Sequence, residues 1–97
     1  MHARVVLATA QPGKTDEMIK VGRDSILPAA KKQKGFKSWF MLTNRNTGKG
    51  IVIGIWNTEA DMMANESSGF YQEQIAKVAP LFTGPPTMEH YEVSVKG

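Results

Sequence analysis

The sequence predicts an α+β fold of the ferredoxin-like kind, βαββαβ, with one four-stranded antiparallel sheet. Three observations predict it. The runs Val5-Val6-Leu7-Ala8, Trp39-Phe40-Met41-Leu42 and Ile51-Val52-Ile53-Gly54-Ile55-Trp56 are apolar at almost every position. A strand with one face in water alternates apolar and polar residues, so these three need cover on both faces. The segments also come in the order strand-helix-strand, strand-helix-strand. Finally, two helical segments are enough to cover one side of such a sheet. The other side is then expected to meet a second copy of the chain, as a homodimer.

Strand one is Ala3 to Ala10, stopped by Pro12-Gly13. Thr15 precedes Asp16-Glu17, and acidic side chains favour a helix start. Helix one is predicted from there to about Gln33, with Ile19, Gly22, Ile26, Ala29 and Gln33 at helical spacing. Pro28 falls inside it and should kink or divide it. Gly35 is the C-terminal stop. Strand two is Phe36 to Thr43, Asn44 to Lys49 a polar turn, and strand three Gly50 to Trp56. Thr58 and Asp61 resemble a capping pair for helix two, which starts near Glu59. Ser67-Ser68-Gly69 should break that helix. It resumes with Tyr71, Ile75, Val78 and Phe82 as one apolar stripe, until Pro80 and Gly84-Pro85-Pro86 end it. Strand four is Met88 to Val95. Right-handed crossovers put strands one and three in the middle of the sheet, with four and two at the edges.

The 97 residues are read as one domain, 1–97, with a formal net charge of +3 and no cysteine. No disulfide or thiolate metal site is available, which fits a reducing cytoplasm. Basic residues are spread out apart from Lys31-Lys32 and Lys34, and no basic run is interleaved with aromatics, so no nucleic-acid partner is expected. No apolar stretch approaches the ~20 residues a membrane helix needs, and no secretory signal pattern is visible.

Several landmarks then fall in a particular order: Pro12-Gly13-Lys14, Gly35-Phe36, Thr47-Gly48, Trp56 with Asn65 nine residues on, Ala79-Pro80-Leu81, Pro85-Pro86 and Tyr91-Glu92-Val93. Over nearly its whole length the chain resembles the antibiotic biosynthesis monooxygenase family of dimeric α+β barrels. The resemblance implies a homodimer whose two sheets face each other as a barrel, helices outside, with ligands between sheet and helices of each subunit. It also implies one of several activities: oxidation of quinols or anthrone-like polyketides by oxygen without metal or flavin, haem binding and degradation, or no chemistry. The haem branch carries an Asn, a Trp and a His ligand where this chain has Val6, Asn65 and Ile75. Ile75 offers no lone pair to iron. Other members carry His where Asn65 and Phe70 stand. No cofactor and no metal are therefore expected.

A ligand cavity is expected to draw on Val6, Ala8 and Gly22 for room, and on Trp39, Met41, Met63 and Phe70 for an adaptable apolar wall. Asn65, beside the helix break, is the candidate polar contact, with a local cap at Ser67-Ser68 as the plainer reading. Trp56 reads as core. Arg4 and Arg23 read as surface charge before ligand anchors, and Glu59, Asp61 and Glu66 as a solvated helix face. His90 reads as an edge-strand residue or a general base, and Tyr91 stands beside it as the second catalytic candidate. His2 and His90 are placed about 20 Å apart, with His90 near Ala8, too far to share a metal. Three functions follow: a monooxygenase-like domain binding a hydrophobic molecule such as a fatty acyl chain, polyketide or quinone; a cofactor-independent oxygenase acting on an electron-rich aromatic; or a structural dimer module.

Overall fold

The computed structural model covers Met1–Gly97. The chain forms β1 (His2–Thr9), α1 (Thr15–Val21), a π-helical turn (Gly22–Ile26), α2 (Leu27–Ala30), β2 (Phe36–Thr43), β3 (Lys49–Trp56), α3 (Glu59–Ser67), α4 (Phe70–Ala76), a 3-10 turn (Ala79–Leu81) and β4 (Thr87–Glu92). The four strands make one antiparallel sheet in the order β2-β3-β1-β4, as right-handed crossovers require.

The helical breaks follow from particular residues. Pro28 has no N–H to give, and its ring crowds the carbonyl four residues back. The turn just before it is widened: the Leu27 N–H reaches back five residues to the Gly22 carbonyl. Helical structure ends at Ala30 rather than near Gln33, and Gly35 turns the chain with φ +81°. Gly69, with φ +87°, separates α3 from α4 at the expected place. Thr58 caps α3, its Oγ1 accepting the Asp61 N–H at 3.0 Å.

One sheet face carries the helices. Arg4, Val6 and Ala8 of β1, Trp39 and Met41 of β2, and Val52, Gly54 and Trp56 of β3 point that way. Trp56 and Met62 are fully buried at one end of this layer. Ala10, Met18, Val78 and Phe82 form a second packed cluster. The opposite sheet face carries Val5, Leu7, Ile51, Ile53, Phe40 and Leu42, and no element of the chain covers it. Phe40 is 53% exposed and Leu42 50%.

Strand four departs from expectation in extent and register. It ends at Glu92 instead of Val95, although the Val93 N–H still donates to the Met1 carbonyl at 2.9 Å. His90 lies opposite Arg4, not near Ala8, and His2 lies opposite Glu92. The two histidines are therefore at the same end of the sheet, and the 20 Å separation does not hold. Each pairs with its own carboxylate: His2 with Glu59 at 3.4 Å, His90 with Glu66 at 2.7 Å.

Candidate ligand cavity

A cavity of about 70 Å³ lies between the sheet and the helices. Its floor is Val6 and Ala8 of β1, Gly50, Val52 and Gly54 of β3, and Trp39 and Met41 of β2. Met18, Ile26 and Ala30 cover it from the first helical segment, and Phe70, Tyr71, Gln74 and Ile75 from α4. Five of the expected wall residues are thus brought together: Val6, Ala8, Trp39, Met41 and Phe70. Ile75 sits in the wall as part of the apolar stripe.

Three expected residues are placed elsewhere. Met63 points outward and is exposed. Gly22 makes no room: a Cβ there would collide with the Met41 terminal methyl and come within 3.2 Å of Trp39 Cη2, so the glycine lets the π turn press onto the sheet. Asn65 lies outside the cavity wall and its amide is engaged. Its Oδ1 accepts from Arg4 Nη1 at 2.9 Å, and its Nδ2 donates to Gln33 Oε1 at 3.3 Å. It is 4% exposed.

Arg4 corrects the surface reading. Its guanidinium is buried in the cavity wall, 4.6 Å from the Tyr71 ring centroid and 5.5 Å from that of Trp56. Arginine tolerates this position because a planar, weakly hydrated cation stacks on aromatic faces. Nη1 also reaches Glu66 Oε2 at 3.3 Å. Glu66 belongs to no solvated face: one of its oxygens holds both Arg4 and His90, and its side chain is almost buried. Glu59 is the solvated member of the three, and Asp61 packs against Gly35. Burial pushes the Arg4 pKa below its ordinary value, and the charge of Glu66 and its hydrogen bond oppose that. Burial raises the Tyr71 phenol, the nearby Arg4 charge working against it and Glu66 with it.

The two catalytic candidates are separated. Tyr91 lies on the sheet face turned away from the cavity, half-exposed, its pKa raised by a hydrogen bond to Glu89. His90 is on the helix side but contributes no wall to the cavity; its Nε2 is held by Glu66. Arg23 is exposed and pairs with Asp24 at 2.9 Å.

Wall residues that sequence reasoning did not assign to the site include Arg4, Trp56, Tyr71 and Gln74. Trp56 is 2% exposed, packs edge-on against Phe36 at 6.0 Å, and its Nε1–H has no hydrogen-bond acceptor. That nitrogen lies over Gly54, where a Cβ would come within 3.4 Å of it. No signal in the strand pattern separates such a tryptophan from an ordinary core residue.

Solved structures with this architecture include a Streptomyces coelicolor monooxygenase in complex with nanaomycin D. It matches at TM-score 0.78 and 14% identity over 93% of this chain and 84% of that one. A Nitrosomonas europaea protein provisionally assigned as an antibiotic biosynthesis monooxygenase matches at TM-score 0.77 and 17% identity, over 95% and 97%. A second protein from that organism, of unknown function, matches at TM-score 0.79 and 25% identity, over 99% and 91%. No family model and no curated protein matches the sequence. The chain has the ferredoxin-like α+β fold of the antibiotic biosynthesis monooxygenases. No helix is long and apolar enough to cross a membrane.

Proposed function

We propose that this protein is a monooxygenase-like domain that binds a flat or elongated apolar small molecule in the cavity between its sheet and its helices. The observation that carries the reading is the wall itself: apolar and aromatic side chains from three strands and two helical segments, with Arg4 and Gln74 among the few polar groups. Sites for small molecules have this composition. The Streptomyces coelicolor neighbour was solved with a small-molecule ligand, nanaomycin D, which supports the same class of occupant.

Magnitude sets a condition. Sites for drug-sized ligands span roughly 300–1,000 Å³, and the cavity is about 70 Å³. A ring system therefore enters only if the wall moves. Met18 and Met41 are in that wall, and unbranched thioether side chains repack at little cost. The resting cavity is a partly collapsed form of the binding site.

The protein acts as a homodimer in this reading. Two copies bury the Phe40–Leu42 sheet face against each other, which removes an apolar patch that a stable monomer would not leave in water. Native mass spectrometry of the purified protein tests both parts. The expected spectrum is a dimer carrying a small-molecule adduct, with the adduct lost in Ala8→Leu, a change that fills the cavity floor. A dimer of bare chains that also takes up no added naphthalene contradicts the ligand reading.

A further inference from the structure

The cavity has one polar end, and donor nitrogens of two residues there lack protein acceptors. Trp56 Nε1–H is buried without any partner. Arg4 makes both its hydrogen bonds through Nη1, so Nε and Nη2 donate to no protein atom. Both residues are in the cavity wall, with the guanidinium 5.5 Å from the Trp56 ring centroid. An orphaned buried N–H is costly, and protein interiors satisfy nearly all of them. Elsewhere the layer is well satisfied: Asn65, Gln33 and Glu66 all have partners. Trp56 Nε1–H is the buried side-chain donor left without a partner, and its ring lines the cavity.

The sequence keeps side-chain atoms of position 54 off the nitrogen. Gly54 sits between the two indoles; a Cβ there would come within 3.4 Å of Trp56 Nε1 and 3.9 Å of Trp39 Cδ1. Any side chain at 54 would occupy the space over the indole N–H. Gly54 also lies mid-strand, where glycine weakens pairing and marks a site of close approach.

Building on the cavity reading above, we propose that Trp56 Nε1–H is the specificity-determining donor of the site. It selects ring systems that carry an anionic oxygen, which Trp56 and the free edge of Arg4 hold together. Glu66 Oε2 is shared between Arg4 and His90, and Nε and Nη2 of Arg4 have no protein acceptor, so an oxygen with negative charge is preferred to a neutral ether. A plain hydrocarbon would fill the cavity and leave the indole donor unsatisfied.

The test uses a matched probe pair in oxygen-free buffer at neutral pH, 2-hydroxy-1,4-naphthoquinone, which is ionised there, and its 2-methoxy ether, with naphthalene as the apolar control. Calorimetry on the full-length protein should show the hydroxyl compound binding at least about tenfold tighter than the ether, the discrimination expected of one buried charge-assisted hydrogen bond. Trp56→Phe should reduce that preference while naphthalene binding persists. Because Trp56→Phe also changes the core, the wild-type protein is read independently. Of its two indole N–H resonances in a nitrogen-15 correlation spectrum, the one lost in Trp56→Phe, or assigned through Gly54→Ala if that variant does not fold, should move downfield with the hydroxyl compound only. Equal affinity for both quinones, or an unmoved Trp56 resonance, overturns the proposal and leaves the cavity reading intact. Failure of all three probes to bind overturns both.

Discussion

Arg4 Nη1 and Asn65 Oδ1 meet at 2.9 Å across 61 positions of sequence, joining β1, one of the two central strands of the sheet, to α3 inside the protein. The contact determines what Asn65 does. A residue read from sequence as a ligand contact is instead the acceptor that fixes a buried cation, and Gln33 fixes Asn65 in turn.

Asn65→Leu is therefore expected to lower stability by about 1–3 kcal/mol, the usual cost of leaving buried donors unpaired. Denaturant unfolding followed by circular dichroism measures it. Unchanged stability together with lost binding of a cavity probe would return Asn65 to the ligand site.

Glycine 35 should tolerate no side chain. It holds φ +81°, a Cβ would strike the Asp61 carboxylate, and its carbonyl accepts the Asn57 N–H at 2.7 Å. Gly35→Ala is expected to cost about 1–3 kcal/mol from the backbone conformation and overlap together. Thermal unfolding of the variant checks this, and a melting temperature equal to wild type would contradict it.

Alkaline pH should weaken the fold through Tyr71. Its phenol is raised in the folded protein, chiefly by burial. Between the ordinary tyrosine value and the raised one, the folded chain holds a proton the unfolded chain has lost, so stability falls as pH rises through that window. Below about pH 10 both forms are protonated and the effect is absent. The melting temperature should drop less between pH 9 and pH 11 in Tyr71→Phe than in wild type. Tyr91, also raised and exposed, acts equally in both proteins. Identical pH profiles would show that Tyr71 ionises alike in both states.

Assembly is tested on the uncovered sheet face. Light scattering should give about twice the 10.7 kDa chain mass. Phe40→Glu combined with Leu42→Glu should give the single-chain mass, because two charges cannot be buried in an apolar interface without partners. A double variant that stays dimeric would move the interface off this face.

Most of the fold was legible because local signals agreed. The apolar runs became strands, and Pro28, Gly35 and the Ser67-Ser68-Gly69 break each found a structural counterpart. The β4 register was not legible, for a definite reason. Placing His90 beside Ala8 rather than Arg4 is a shift of four residues, an even number, and even shifts keep every side chain on its own face. Burial pattern therefore cannot detect the error. The polar part of the site was hidden for another reason. Arginine is ordinarily exposed, and Arg4 is buried only because Asn65, Glu66, Tyr71 and Trp56 converge on it from distant positions. Glu66 was misread by the same logic, since its two partners lie on β1 and β4.

The central claim, a ligand between sheet and helices, is tested most directly by methyl resonances during a titration with naphthalene. Shifts are expected at Val6, Ala8, Val52 and Ile75, which line the cavity, and none at Val5, Leu7, Ile51 and Ile53 on the opposite face. Shifts confined to the second set, or no shifts at saturating naphthalene, would contradict it.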